Sequence, residues 1–198
     1  RADSDREFLA SRDIWFRPVQ FVNAPDGTLY VLDMYRELIE GAAFLPPEFL
    51  DHINPISGND RGRIYRIAPR DFAARRSTVR LDLAASSDLV KLLEHRNGWH
   101  RDTASRLLYQ RQDKSVVPAL RKLAMNSRLP IGRATALHSL SGLESLDEQS
   151  LLTALNDASP DVRVQALRLA EKLAAKSPSI RTRMAQLADD PEIGVRYQ

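Results

Sequence analysis

The chain has 198 residues, 43% of them hydrophobic and 28% charged, an ordinary balance that permits a buried core. It contains no cysteine, which excludes disulfides, thiolate metal sites, thioether attachment of haem and cysteine nucleophiles within these residues. The net charge is +3, too modest to mark a nucleic-acid or membrane-surface binder by itself, and no apolar run approaches the roughly 20 residues of a membrane span.

The chain opens on Arg1 and stops at Gln198 within a helical pattern, so trimming at both ends is expected. No secretory signal is visible at the start. In "WFRPVQFVNAPDGTLYVLDMY" (15–35) two apolar runs, Val19 to Val22 and Leu29 to Leu32, flank "NAPDG". Asp-Gly after Pro is a tight-turn signal, because glycine tolerates positive φ. The spacing therefore predicts a hairpin. "PPEFLDHI" predicts a short helix with proline in its first turn. "RIYRI" (63–67), after the turn-rich "SGNDRG", predicts a third antiparallel strand. Three strands with open edges do not readily make a stable domain alone.

A basic stretch follows. Arg61, Arg63, Arg66, Arg70, Arg75, Arg76 and Arg80 face the single acid Asp71. Such a run could grip phosphates or an acidic partner, but a solvated connecting segment is the favoured reading. Aromatic residues are not interleaved through 73–80, so a stacking platform for single strands has little support.

From residue 88 the sequence repeats itself. "GWHRDTASRLL" (98–108), "PIGRATALHSL" (130–140) and "PDVRVQALRLA" (160–170) align Arg101, Arg133 and Arg163 in one column and Ala104, Ala136 and Ala166 in another. "PEIGVRYQ" puts Arg196 in the arginine column, giving spacings of 32, 30 and 33 residues. Each unit reads as two helices. Val162, Ala166, Leu169, Ala170 and Leu173 form one buried stripe at helical period, opened by Ser159–Pro160 with Asp161 in the first turn. Leu151, Leu152 and Leu155 belong to the helix before it. Alanine at the repeated position lets neighbouring helices approach closely.

These residues resemble HEAT repeats, with "LLTALNDASPDVRVQALRLAEKL" (151–173) nearest the pattern. The resemblance implies a mainly α fold, an armadillo-like α–α superhelix (right-handed solenoid) over 88–198. It also implies that Arg101, Arg133, Arg163 and Arg196 brace neighbouring units through an acid or a carbonyl. Asp157 precedes Arg163 by six residues and Asp190 precedes Arg196 by six, which suits such a ladder. His95 and Ser127 hold the matching places earlier.

The N-terminal third resembles one blade of a β-propeller. More narrowly, "WFRPVQFVNAPDGTLYVLDMYRELIE…SGNDRGRIYRI" resembles the last blade of a bacterial group described as membrane-bound dehydrogenases, similar to soluble glucose/sorbosone dehydrogenases. In that group the propeller precedes HEAT-type helices and a haem c module. "NGWHRDTASRLLYQRQD" (97–113) matches the same group. The resemblance implies three regions: a blade remnant with a helical insertion over 1–70, a basic linker over 71–87, and HEAT-like repeats over 88–198. It implies pyrroloquinoline quinone (PQQ) and haem c for a parent protein and no cofactor in this segment. The parent would be exported, periplasmic or membrane-associated. The partners implied are the parent's own propeller and haem modules, or another protein.

Candidate chemistry is sparse. Asp33 and Arg36 follow the second strand, and Asp60 and Arg61 precede the third; they could line a pocket in an intact propeller, although an Asp–Arg pair closing a loop is favoured. His52, His95, His100 and His138 form no His-Glu-x-x-His pattern. No serine elbow, dinucleotide fingerprint or phosphate loop occurs. Asp88 with Glu94, and Asp147 with Glu148, sit in helix first turns or on solvated faces. The segment reads as a non-catalytic scaffold, with no catalytic, cofactor-binding or metal-binding residue assigned. The alternative is that it forms part of a quinone- and haem-dependent sugar or alcohol dehydrogenase whose active site lies elsewhere. Nucleic-acid binding is a further alternative, which the modest charge and scattered acids argue against.

Overall fold

Asp26 and Gly27 reverse the chain at the predicted hairpin. In the computed structural model, which describes residues 4–39, 41–72 and 79–198, Gly27 has φ +86°. The Ala24 N–H donates to the Thr28 carbonyl at 2.9 Å and the Gly27 N–H to the Ala24 carbonyl at 3.0 Å. The Asp26 carboxylate accepts from the Thr28 amide and hydroxyl at 3.0 and 2.7 Å. This turn joins β1 (Pro18–Asn23) to β2 (Leu29–Asp33), and β3 (Arg63–Ile67) pairs with the far side of β2. Both pairings are antiparallel. Phe21, Val31 and Tyr65 share one face, and Val22, Tyr30 and Arg66 the other. Val31, on the central strand, is fully buried, whereas Phe21, Val22 and Ile64 stay exposed. Phe16 packs edge-on against Tyr65 at 5.9 Å, and Trp15 lies 5.8 Å from Tyr35. The connection to β3 carries α1 (Pro47–Leu50) with proline at its first position, as predicted.

The chain divides into two compact units, Arg1–Ser77 and Thr78–Gln198. The second is helical: α2 (Ser86–Leu92), α3 (Gly98–Arg111), α4 (Val117–Asn126), α5 (Pro130–Gly142), α6 (Glu148–Leu155), α7 (Pro160–Ala174), α8 (Pro178–Gln186) and α9 (Ile193–Tyr197). Proline begins α5, α7 and α8, where its missing N–H costs nothing. Asn97, Asp147 and Ser177 cap α3, α6 and α8 through their side chains. α2 pairs with α3, α4 with α5 and α6 with α7, and each helix also meets the next but one, so α2, α4, α6 and α8 form one row and α3, α5, α7 and α9 a second. Between the rows lie the fully buried Leu89, Leu93, Leu108, Leu120, Leu137, Leu140, Leu151, Leu155 and Ile180. Each such side chain stabilises the fold by about 2 kcal/mol through removal of apolar surface from water. Ala104, Ala136 and Ala166, the repeated column, are all completely buried.

One boundary differs from the sequence expectation. Residues 71–87 read as a linker, yet Leu81 and Ala84 pack against the helical core. Arg111 on α3 donates to the carbonyls of Ala84 and Asp82 at 2.6 and 2.8 Å. Charge made the segment look solvated, but its leucine and its carbonyls are held by a distant helix. Arg75 and Arg76 lie outside the described residues.

Candidate functional site

Two arrangements gather polar side chains. The first surrounds Asp33, at the end of β2. It is 3% exposed. Its Oδ1 accepts from the Arg17 amide at 2.7 Å and the Tyr35 amide at 2.9 Å. Oδ2 is buried and takes no hydrogen bond among the described residues. Tyr35 is held at φ +51° with the Arg63 guanidinium 3.9 Å above its ring. Among the described residues the four candidate pocket side chains bond one another only as the Asp60–Arg61 pair. Arg36 donates to the Ile56 carbonyl at 3.4 Å rather than to Asp33, so the expected Asp–Arg pair gives way to a carboxylate held by backbone amides. Asp60 and Arg61 meet each other at 3.8 Å, both exposed. A strand-end aspartate reaching back to amides two residues on and across the hairpin is a common local solution, and no periodicity announces it. Asp33→Ala is expected to cost the sheet unit about 2 kcal/mol by stranding two amides. Asp33→Asn, which keeps the accepting oxygen, should cost well under half of that. Urea midpoints followed by Trp15 emission, in a Trp99→Phe background, check both; equal losses would mean that the orphaned Oδ2 matters more than Oδ1.

The second arrangement is the arginine column. Arg133 donates through Nε and Nη2 to both Asp157 oxygens at 2.6 and 2.7 Å, and Arg163 does the same to Asp190 at 2.9 and 2.8 Å. The remaining Nη1 turns back to a carbonyl six residues earlier: His95 from Arg101, Ser127 from Arg133, Asp157 from Arg163 and Asp190 from Arg196. The six-residue spacing noted in the sequence therefore sets a carbonyl contact. The carboxylate partner comes instead from the following helix pair, 24 or 27 residues on. Rungs thus run between units. At Arg101 the following unit offers Ser127, whose hydroxyl donates to Glu94 at 2.6 Å, and no acid pairs with Arg101 among the described residues.

The Arg163–Asp190 side chains are 10% and 5% exposed, and Arg133–Asp157 14% and 11%. Burial pushes Asp157 up, but the bonds from Arg133 and the Ser159 amide outweigh it and hold the carboxyl below its ordinary 3.8. The bond from Arg163 holds Asp190 below the same value. Groups depressed on folding stabilise fully above their unfolded pKa and lose that contribution as pH falls through the folded one. Asp157→Asn is expected to cost about 2 kcal/mol at neutral pH, since a bidentate guanidinium loses its anion. It should also flatten the decline in stability on acidification below about pH 4, which a series of urea midpoints measures.

The other candidates are taken up locally. Asp88 pairs with Lys91 at 2.8 Å, Asp147 with Arg121 at 2.7 Å, and Glu148 accepts from Ser177 at 2.8 Å. The His95 and His100 rings lie tilted against each other at 4.3 Å, the His95 Nδ1 accepts from the Asn97 amide, and His138 bonds Gln165 at 2.9 Å. Among the described residues no three acidic or histidine side chains are placed to hold a metal ion, and no helix is long and apolar enough to cross a membrane. Several of the basic-stretch arginines have partners: Arg63 on Tyr35, Arg66 beside Asp26 at 3.8 Å, Arg80 on Asp82 at 2.6 Å. Two surface grooves, of about 450 Å³ beside Val90, Leu123 and Leu129 and of about 440 Å³ beside Asp102, Tyr109 and His138, hold hydroxyls: in the first Ser127 donates to Glu94 at 2.6 Å, and in the second Ser105 and Ser139 face each other at 3.5 Å while His138 bonds Gln165.

A protein-family model described as a domain of unknown function, DUF7133, matches residues 1–71, which is nearly the whole sheet unit. Neither a curated protein nor a solved structure matches the chain.

Proposed function

We propose that this chain is a non-catalytic scaffold segment of a larger exported redox protein. In this reading the helical unit is a HEAT-like superhelix that holds a propeller blade at a set distance from an electron-accepting module. The observation that carries the reading is the pair of Arg–Asp rungs joining consecutive helix pairs at a period of about thirty residues, the mechanical link expected of a solenoid in which each unit touches only its neighbours. The sheet unit adds support. Its order β1-β2-β3 leaves two edge strands, and Val19, Phe21, Val22 and Ile64 are exposed, as suits a blade that needs neighbours on its faces.

The parent would be a sugar or alcohol oxidoreductase with PQQ in the propeller and haem c as acceptor. Thioether attachment requires cysteines and this chain has none, so haem would be held by another part of the parent. No residue here is assigned to the quinone. The test is the length of the native polypeptide together with a haem stain of the same gel band. A band far above 22.3 kDa that stains for haem, and reduces a dye with sugars only after quinone is added, is the expected result. A native chain near that mass without haem overturns the redox reading and leaves a free-standing helical adaptor.

A further inference from the structure

We propose that the groove between α2 and α4 is a docking site for an acidic amphipathic segment of a partner protein, with apolar side chains in the groove and carboxylates on its rim. The floor is apolar: Val90 from α2, Leu123 from α4 and Leu129 from the turn that follows α4. Val90 lies nearly buried at the base, whereas Leu129 keeps 44% of its surface exposed. The volume, about 450 Å³, falls within the roughly 300–1,000 Å³ of ligand clefts and takes a few large side chains. The far end is built. α2 stops at Leu92, and beyond it Glu94 accepts from the Ser127 hydroxyl at 2.6 Å. Gly132 backs this wall so closely that an added Cβ would lie 2.7 Å from the Ser127 Oγ and 2.9 Å from the Glu94 Cβ. The groove is therefore formed before anything enters it.

Charge selects the occupant. Three cations rim the groove, Lys91 on α2, Lys122 on α4 and Arg128 beside Leu129, against the one carboxylate of Glu94. Lys91 bonds Asp88 at 2.8 Å, and Glu94 is engaged by Ser127. Lys122 and Arg128 are exposed and have no acid partner among the described residues. An apolar floor under a cationic rim complements a segment with leucine-like side chains on one face and aspartate or glutamate beside them. A nucleic-acid strand would use the cations and leave the floor in water. A bilayer is met by apolar groups that project, and those at the base of this groove are recessed.

The inference concerns this chain alone and needs neither quinone nor haem, so it stands or falls separately from the redox reading. The probe is a fluorescein-labelled peptide of about 12 residues, with leucine at helical i, i+3, i+4 and i+7 positions and glutamate at the others. Its anisotropy is titrated with the full chain. The expected result is saturable binding with Kd of about 100 µM or tighter at low salt, weakening as salt rises because the rim is exposed. Lys122→Glu with Arg128→Glu should weaken it about tenfold, and Lys122→Gln with Arg128→Gln, which adds no like charge, about threefold. Leu129→Ser should weaken it about threefold through the floor. Arg106→Glu, exposed on α3, should leave it within about twofold. Thermal midpoints close to that of the unsubstituted chain show that the variants are folded.

The proposal is overturned if the peptide does not saturate below about 1 mM, or if a peptide with lysine in place of glutamate binds as well. It is overturned equally if Arg106→Glu weakens binding as much as the reversal at Lys122 and Arg128 does. Vesicles of phosphatidylserine and phosphatidylcholine supply the last arm: if the chain sediments with them and Lys122→Glu with Arg128→Glu abolishes this, the rim is a lipid contact and the protein partner is refuted.

Discussion

Ala166→Glu is expected to destabilise the helical unit by about 4 kcal/mol, a large share of the roughly 5–15 kcal/mol that holds a domain folded. Ala166 is completely buried on α7, in the same column as Ala104 and Ala136, and belongs to the cluster containing Leu137, Leu140, Leu155 and Ile180. A glutamate there adds volume where the helices touch and carries a carboxylate with no donor to meet it; the carboxyl is either desolvated as an ion or protonated at a cost. The change is read as a lowered thermal midpoint in far-UV circular dichroism at neutral pH, with Gln110→Glu, on the exposed face of α3, as the control. If Ala166→Glu melts like the control, the alanine column does not mark the inter-helix contact.

The second large effect belongs to the sheet unit. Gly58→Ala should cost about 3 kcal/mol through two separate penalties. Gly58 has φ +84°, where a side chain is strained whatever the space. An added Cβ would also lie 2.3 Å from the Tyr35 carbonyl oxygen, well inside contact distance, and backbone cannot swing aside as a side-chain tip can. Tyr35 is tied by its amide to Asp33 and by its ring to Arg63 and Trp15, so relief would have to come from the loop carrying Gly58. Gly27, also at positive φ, has open space around its missing Cβ. Gly27→Ala therefore shows the conformational penalty alone, about 1 kcal/mol, and the difference between the two urea midpoints isolates the clash.

A bidentate Arg–Asp bond between consecutive helix pairs fixes both their spacing and their rotation.

Much of this was legible without coordinates. Strand positions followed from short apolar runs between turn residues, and helix starts from proline and capping residues, because those signals act within a few bonds. The thirty-residue period was equally plain, since stacked units repeat the same buried alanine and the same arginine. Tertiary structure decided what local rules cannot reach. The spacing from Asp157 to Arg163 looked like a bond, but the arginine takes the carbonyl at that distance, leaving the carboxylate for Arg133 in the preceding unit. Asp33 and Arg36 looked like partners by proximity, whereas hairpin geometry hands the carboxylate to the amides of Arg17 and Tyr35. The stretch around Leu81 looked solvated by its charge until Arg111, nearly thirty residues away, claimed its carbonyls. Local backbone preference and apolar period are properties of a few consecutive residues, and the sequence determines them by itself. Which donor meets which acceptor depends on how the units stack, and only the packed chain decides that.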